Sequence, residues 1–301
     1  MPKSGTIRTD LALEARQLWQ ERAGTEALSG VRAVDREREG FAVHVVEILD
    51  ESGEAALGKP RGRYVTVELD GLLRRETDAF PRAASALAAE LRELLALDAD
   101  GSCLVAGLGN RDITPDAIGP DVVSHIIVTR HLKERLPEDF ARLRPVSAIC
   151  TGVLGTTGIE SGELVRTVCA SLRPDCVIAV DALASRSPDR LCRTVQLSDT
   201  GIVPGSGVGN ARQALNRETL GVPVIAVGVP TVVDAATLTL DLAARGGVKL
   251  SPAAFGELGS MIVTPRDVDK TVRDVGKLIG YAVNLALHEG MTVEEIDQLV
   301  S

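Results

Sequence analysis

The order of elements in the middle of the chain is the strongest constraint on its fold. Short apolar runs at 103–106, 146–150 and 176–180 have the length of buried strands, and segments 117–135 and 160–172 between them have the pattern of helices. Strands that alternate with helices are typical of a parallel sheet. The sequence therefore predicts an α/β fold in three layers, with a mostly parallel, twisted sheet flanked by helices.

Segments on both sides of this block extend the prediction. Runs at 41–49 and 64–69 are rich in β-branched residues and predict an antiparallel, hairpin-like extension near the N-terminus. Residues 1 to about 20 are polar without a clear period, so we expect an extended arm or a frayed helix there. Further strands are predicted at 193–197 and 224–229, and further helices at 81–97, 231–245, 265–288 and after a capping box at 292–295. No repeat or linker divides the chain, which predicts a single domain.

The composition excludes several classes of ligand and location. Only 2% of the 301 residues are aromatic and the formal net charge is −9, so base stacking and non-specific binding of nucleic acid are disfavoured. The N-terminus carries no signal-peptide pattern, and no apolar run reaches 18 residues, so we expect a soluble intracellular protein without a membrane partner.

Cysteines and histidines give little support for a metal site. The five cysteines are scattered and none forms a C-x-x-C pair, as expected of reduced thiols in a cytosol. Four histidines without an H-E-x-x-H motif leave little material for zinc. A zinc site built from cysteine or histidine ligands is therefore disfavoured.

Two acidic residues follow predicted strands, where ligands of open parallel sheets bind. Asp116 lies in the loop after the run at 103–106, and Asp181 directly follows the run at 176–180. Each has a simpler interpretation, because Asp116 could complement a helix dipole behind Thr114 and Asp181 could cap a turn. Two acids at adjacent strand ends instead favour a functional pair, since like charges are costly to place together.

Glycine-rich loops provide further candidate positions. Gly107-Leu108-Gly109 lacks the third glycine of a dinucleotide fingerprint, which disfavours NAD binding. The loops 151–162 and 201–210 could present backbone N–H groups to a substrate carbonyl or carboxylate, or could serve only as tight turns. Their candidate substrate-binding residues are Gly155, Gly205, Ser206 and Gly207. Cys150 is a conceivable nucleophile, but a structural thiol is the favoured interpretation.

Five sequence blocks, in this order, resemble the spore germination protease family. They are GLGNRDITPDAIGP, CTGVLGTTGIESGELV, VIAVDALASR, DTGIVPGSGVGN and MIVTPRDVD. The resemblance runs from about residue 6 to the C-terminus, and the family is similar in fold to the hydrogenase maturation endopeptidases. It implies a homotetrameric endopeptidase of the spore cytoplasm that degrades small acid-soluble, DNA-protecting spore proteins at germination.

The resemblance also selects Asp116 and Asp181 as the catalytic acids of a metal-independent aspartic-type peptidase, so we expect no metal and no other cofactor. In such a pair one ionised carboxylate takes a proton from water while its protonated neighbour donates to the carbonyl oxygen or the leaving amine. Which aspartate is the acid and which the base stays open. A non-catalytic relative of the maturation peptidases that holds a metal or small ligand is the alternative function.

A short segment near the N-terminus resembles the sites that the family cleaves. Thr9-Asp10-Leu11-Ala12 has an acidic residue followed by a large apolar and a small one, so we expect self-cleavage between Asp10 and Leu11. Residues 1–10 would then be a propeptide and residues 11–301 the peptidase domain. Asp10 could also simply cap a helix. The acidic residue would need a cationic pocket, for which Arg111 and Arg186 are candidates, unless both are surface charges.

Overall fold

The computed structural model describes residues 7–25, 27–98, 100–206, 212–248, 250 and 261–300. These residues form an α/β fold with one large sheet and helices on both of its faces, as predicted. The strands in them are β1 Val31–Arg38, β2 Phe41–Ile48, β3 Gly62–Glu68, β4 Cys103–Gly107, β5 Val146–Cys150, β6 Cys176–Ser185, β7 Thr194–Ser198, β8 Val224–Asp234 and β9 Ile262–Val263.

The helices alternate with these strands through most of the chain. They are α1 Ala12–Ala23, α2 Glu51–Leu57, α3 Asp70–Leu73, α4 Ala79–Leu95, α5 Ile118–Val123, α6 Arg130–Arg135, α7 Leu154–Thr157, α8 Ser161–Leu172, α9 Arg217–Leu220, α10 Ala235–Arg245, α11 Val268–Leu287 and α12 Val293–Val300. Short 3-10 helices span Thr114–Asp116 and Pro188–Arg190. Within the described ranges, no helix combines the length and the apolar character needed to cross a membrane.

The sheet has a parallel half and an antiparallel half. Its strand order is β1-β2-β3-β7-β8-β6-β4-β5, with β9 added beside β8. The neighbours β5, β4, β6 and β8 are mutually parallel, whereas every pairing from β8 through β7 to β1 is antiparallel. Counted by direction, β1, β3, β4, β5, β6 and β8 run one way and β2, β7 and β9 run the other.

The N-terminal extension contains one strand more than predicted. β2 and β3 pair antiparallel as expected, but helix α2 lies between them instead of a simple turn. The sequence did not predict strand β1. Charged residues in VRAVDRER stand at positions where a half-buried strand usually has apolar ones. β1 occupies the sheet edge, where charged side chains are common. Arg36 and Arg38 there pair with the buried carboxylate of Glu90 on α4.

Separate apolar cores form on the two faces of the sheet. On one face, α4, α5 and α11 pack over residues such as Val105, Ile178 and Val227. On the other face, α8 covers Leu104 and Val177 and their neighbours, while α1 and α2 cover the end of the sheet formed by β2 and β3. The predicted arm at the N-terminus is therefore the docked helix α1 from Ala12 onward.

The predicted helix at 117–135 is wrong, because the chain leaves the helical path between α5 and α6. The intervening segment contains β-branched residues, which lose side-chain freedom in a helix. The buried side chain of Asn284 on α11 replaces the missing helical hydrogen bonds, since it accepts from the Ile127 N–H at 2.9 Å and donates to the His125 carbonyl at 2.8 Å. The capping box before α12 is present, with reciprocal bonds between Thr292 and Glu295.

Two glycines allow α5 to lie directly against the backbone of the sheet. A Cβ atom on Gly119 would stand 2.2 Å from the Leu108 carbonyl oxygen and 2.7 Å from that of Val180, and one on Gly107 would stand 2.3 Å from the Gly119 oxygen. The first glycine of the Gly107-Leu108-Gly109 run therefore serves helix packing in this fold. Because Asp116 lies just before α5, this contact fixes the distance of the Asp116 loop from the sheet.

We predict that Gly119→Ala destabilises the protein by about 1–3 kcal/mol, because the new methyl group meets backbone atoms that cannot rotate away. Gly155→Ala is the matched control, because the added methyl group there meets no atom within 4 Å. Denaturant unfolding of both variants measures the effect. Equal stability of Gly119→Ala and the wild type would contradict this account of the packing.

Candidate active site

Asp181 lies inside β6, because this strand continues beyond the end of its neighbour β4. The paired ladder of β4 and β6 ends at Gly107 and Val180, whereas β6 and β8 stay paired to Ser185. The expectation that the strand ends before Asp181 is therefore wrong. Asp181 nevertheless lies level with the C-terminal end of β4, one residue beyond the last pair of the two strands. Asp181 is 6% exposed, and its Oδ1 accepts a hydrogen bond from the Ala182 N–H at 2.9 Å.

Asp116 is held by the loop that follows β4. Its Oδ2 accepts from the Asn110 N–H at 2.9 Å, and its backbone carbonyl accepts from the same N–H at 3.0 Å. Gly109, with φ of +101°, permits this tight loop, since a Cβ there would lie 2.1 Å from the Asp116 carbonyl oxygen. The Thr231 hydroxyl of β8 ties the loop to the sheet by donating to the Pro115 carbonyl at 2.6 Å.

The two carboxyl groups line one cavity of about 280 Å³. The same cavity is lined by Asp10, Ser206 and Arg212 among other residues. The structure thus brings together the two acids that the sequence selected, although they are 65 residues apart in the chain (181 − 116). It also adds Arg212, which the sequence analysis did not single out.

Burial and mutual repulsion set the charge state of this pair. Burial raises the pKa of Asp181 well above its usual range, and the neighbouring negative charge of Asp116 raises it further. Burial also raises the pKa of Asp116, while its hydrogen bond from Asn110 acts in the opposite direction. The positive charge of Arg212 lowers the pKa of both carboxyls. Asp181 is therefore the group that holds a proton more strongly.

The N-terminal segment enters this cavity through Asp10. Its carboxylate accepts from the Ala184 N–H at 2.9 Å and from the Ser206 hydroxyl at 2.8 Å, and its own N–H donates to the Ala184 carbonyl at 2.8 Å. Asp10 does not cap α1, because the residue at that cap position is Leu11 and no side chain bonds to the cap. Ser206, a candidate substrate-binding residue, thus contacts this chain's own Asp10 through its side-chain hydroxyl.

The other substrate-binding candidates have different positions. Gly205 lines the cavity beside Ser206, whereas Gly207 lies outside the described residues. Neither predicted arginine is among the described residues that line the cavity. Arg186 is bound to Asp241 at 2.6 Å and to Glu21 at 3.0 Å, and Arg111 donates to the Pro120 carbonyl at 3.3 Å. Gly155 is exposed in α7 and is also absent from the cavity lining.

Cysteine and metal chemistry receive no support from the described residues. Burial raises the pKa of the Cys150 thiol, which disfavours the thiolate that a nucleophile requires. Within the described ranges, no three His, Cys, Asp or Glu side chains are grouped so that they could hold a metal ion.

These observations define an α/β protein in which one buried carboxyl, Asp181, and one half-buried carboxyl, Asp116, line the same cavity. The family model described as germination protease matches residues 10–244. A germination protease of Caldanaerobacter subterraneus is 45% identical over 98% of both chains. One from Clostridium perfringens is 40% identical over 98% of this chain and 99% of its own, and one from Bacillus cereus is 39% identical over 97% and 95%. The chain belongs to the germination protease family, and is therefore a peptidase.

One solved structure was also found to be similar. It is a hydrogenase maturation protease from Thermococcus kodakarensis that is 16% identical to this chain. The match covers 64% of this chain and 98% of the other, with a TM-score of 0.36.

We predict that Asp181→Asn stabilises the protein at pH 7 and that this gain shrinks toward pH 4. A carboxyl whose pKa is raised on folding supports stability below its unfolded pKa and loses that support as pH rises through the folded pKa. Each tenfold difference in proton affinity between the two states is worth about 1.4 kcal/mol. Denaturant unfolding of wild type and variant between pH 4 and pH 7 measures the effect.

Asp175→Asn is the matched control of opposite sign. Hydrogen bonds from Ser102 lower the pKa of Asp175, so its contribution to stability is present at neutral pH and is lost as the pH falls. An Asp181→Asn variant that is less stable than the wild type at pH 7, and increasingly so from pH 4 upward, would contradict the raised pKa of Asp181.

Proposed function

We propose that this chain is an aspartic-type endopeptidase of spore germination that is made as a self-processing precursor. The observation that carries the proposal is the single cavity that contains Asp116, Asp181 and the acidic residue of the predicted cleavage site, Asp10. Membership of the germination protease family supports the activity and its setting. Its substrates are small acid-soluble spore proteins, in line with the likeness of Thr9-Asp10-Leu11-Ala12 to the sites that the family cleaves.

The environments of the two carboxyls support different roles. Asp116 accepts the Asn110 N–H, which favours its ionised form, so it takes a proton from the attacking water. Asp181 is more deeply buried and faces the charge of Asp116, so it starts protonated and donates to the carbonyl oxygen or the leaving amine. Because the two carboxyls line one cavity and the charge of Asp116 acts on Asp181, the proposed mechanism treats them as a pair that shares one proton.

The hydrolysis can be written so that every proton has a source. The water oxygen bonds to the carbonyl carbon of residue 10 and its proton passes to Asp116, which forms a tetrahedral intermediate. The C–N bond to Leu11 then breaks, and the leaving amine receives a proton from Asp181 or from the newly protonated Asp116. The new α-carboxyl group of Asp10 gives its remaining proton to the amine, so the products are a carboxylate on Asp10 and an ammonium group on Leu11. The dyad again holds one proton, and residues 1–10 are the released propeptide.

The contacts of the N-terminal segment support self-processing at this bond. Asp10 donates one backbone hydrogen bond to Ala184 of β6, and its carboxylate occupies donors that an acidic residue of another substrate could use. In the precursor, the same segment would block the cavity against other substrates. Removal of the segment would free Ser206 and the Ala184 N–H.

We predict that Asp116→Asn and Asp181→Asn each reduce self-cleavage at least about 10³-fold, because each removes one partner of the acid–base pair. The measurement is the appearance of a new N-terminus at Leu11, followed by N-terminal sequencing and intact mass. Asp121→Asn is a matched control with another half-buried carboxyl on α5, and it should process normally. Wild-type processing in either dyad variant would refute the mechanism.

We also predict that self-cleavage proceeds at an unchanged rate in a strong chelator, because the mechanism needs two carboxyls and water alone. Metal analysis of the purified protein is the companion measurement. A stoichiometric transition metal that is lost on Asp116→Asn, together with inhibition by the chelator, would instead favour the alternative of a metal-binding relative.

A further inference from the structure

The carbonyl oxygen of Asp10 lies between two side-chain donors. The Lys59 ammonium donates to it at 2.8 Å and the Gln196 amide Nε2 at 3.2 Å. This oxygen belongs to the peptide bond that the proposed self-processing cuts. The Lys59 bond thus directs a positive charge at a carbonyl rather than at a carboxylate.

Gln196 also holds the chain on the other side of the same bond. Its Oε1 accepts from the Ala12 N–H at 2.8 Å, so one amide side chain spans the bond between Asp10 and Leu11. Gln196 lies on β7 in register with Gly228 of β8, which in turn is in register with Asp181 of β6. Residues in one register row of a sheet project from the same face. Gln196 and Asp181 therefore stand on the same face, two strands apart.

Lys59 reaches this place from the turn between α2 and β3. Gly58, with φ of +64°, ends α2 in the left-handed conformation and Pro60 follows, so the turn has a fixed direction. Burial lowers the pKa of Lys59, whereas the charges of Asp10 and Glu14 raise it. A desolvated cation acts more strongly on a nearby developing charge than one in water.

We propose that Lys59 and Gln196 form the oxyanion site of the peptidase, which receives the carbonyl oxygen of the residue before the cleaved bond. When water adds to the carbonyl carbon, the C=O π electrons move to this oxygen, and the two donors stabilise the negative charge that develops there. The proton of Asp181 then remains available for the leaving amine, which resolves the choice between its two acceptors. This inference rests on the proposed function and adds two catalytic residues to it.

The first test measures self-cleavage of the full chain. We expect Lys59→Met to slow formation of the Leu11 terminus about 10²–10³-fold, as found when one oxyanion donor is removed. Lys59→Arg keeps a charged donor and should recover part of the rate. Arg61→Met is the matched control, because Arg61 is an exposed residue of the same turn that pairs with Glu54, and it should process at the wild-type rate. Thermal melts check that each variant is folded.

The second test separates catalysis from mere retention of the N-terminal segment. Variant precursors are trimmed by a trace of tagged wild-type enzyme, which is then removed, and are assayed on a peptide with the sequence of residues 6–16. We expect kcat of Lys59→Met and of Gln196→Met to fall while KM changes only a few-fold. A trimmed Lys59→Met enzyme with wild-type kcat would overturn the oxyanion site.

These experiments distinguish failure of the oxyanion site from failure of the proposed peptidase mechanism. If Asp116→Asn stops cleavage but Lys59→Met leaves both rates unchanged, the oxyanion site alone is wrong. If the wild type does not cleave itself or the peptide, or if Asp116→Asn cleaves normally, the proposed peptidase mechanism is wrong and the oxyanion site is rejected with it.

Discussion

The confinement of two carboxyl groups in one small cavity is the constraint on which the site depends. Such a pair is costly to ionise fully. The hydrogen bond from the Asn110 N–H and the positive charge of Arg212 offset part of this cost, while burial and the charge of Asp116 raise the pKa of Asp181. The tight glycine contacts between α5 and the ends of β4 and β6 hold the Asp116 loop at this position. Packing near the sheet edge and the proton affinity of the site are therefore linked.

The unequal strand lengths connect this pair to the N-terminal segment. β6 and β8 continue beyond β4, so the backbone of Ala184 is available to bind Asp10 next to the carboxyls. Helix α1 then anchors the chain beyond the proposed cleavage site, since the buried Glu14 accepts from the N–H groups of Arg186 and Ser187 at 2.6 and 3.1 Å. The predicted acid-binding arginine thus supports the segment through its backbone, while its side chain belongs to an ion-pair network with Asp241 and Glu21.

The sequence predicted the parallel half of the fold and the two acids because both depend on local patterns. Buried strands have continuous apolar runs, and positions after predicted strands made Asp116 and Asp181 candidates that the family resemblance then selected as the catalytic pair. The charged residues of β1 prevented its prediction from the apolar pattern. Asp181 interrupts the apolar run of β6, so the predicted strand was shorter than the observed one. Neither Arg212 in the cavity nor the contacts of Lys59 and Gln196 with the Asp10 carbonyl could be found in this way. A loop, a turn and an antiparallel strand bring these residues to their positions only through tertiary folding.

The most direct test of the central claim is a carboxyl-carbon NMR titration of the protein labelled at aspartate, with Asp116 and Asp181 assigned by substitution. The account predicts that Asp181 keeps its proton well above the usual range for an aspartate, and that Asp116→Asn lowers the pKa of Asp181 because it removes the neighbouring negative charge. Independent titration of both groups near their ordinary values, unchanged by the neighbour's substitution, would contradict it.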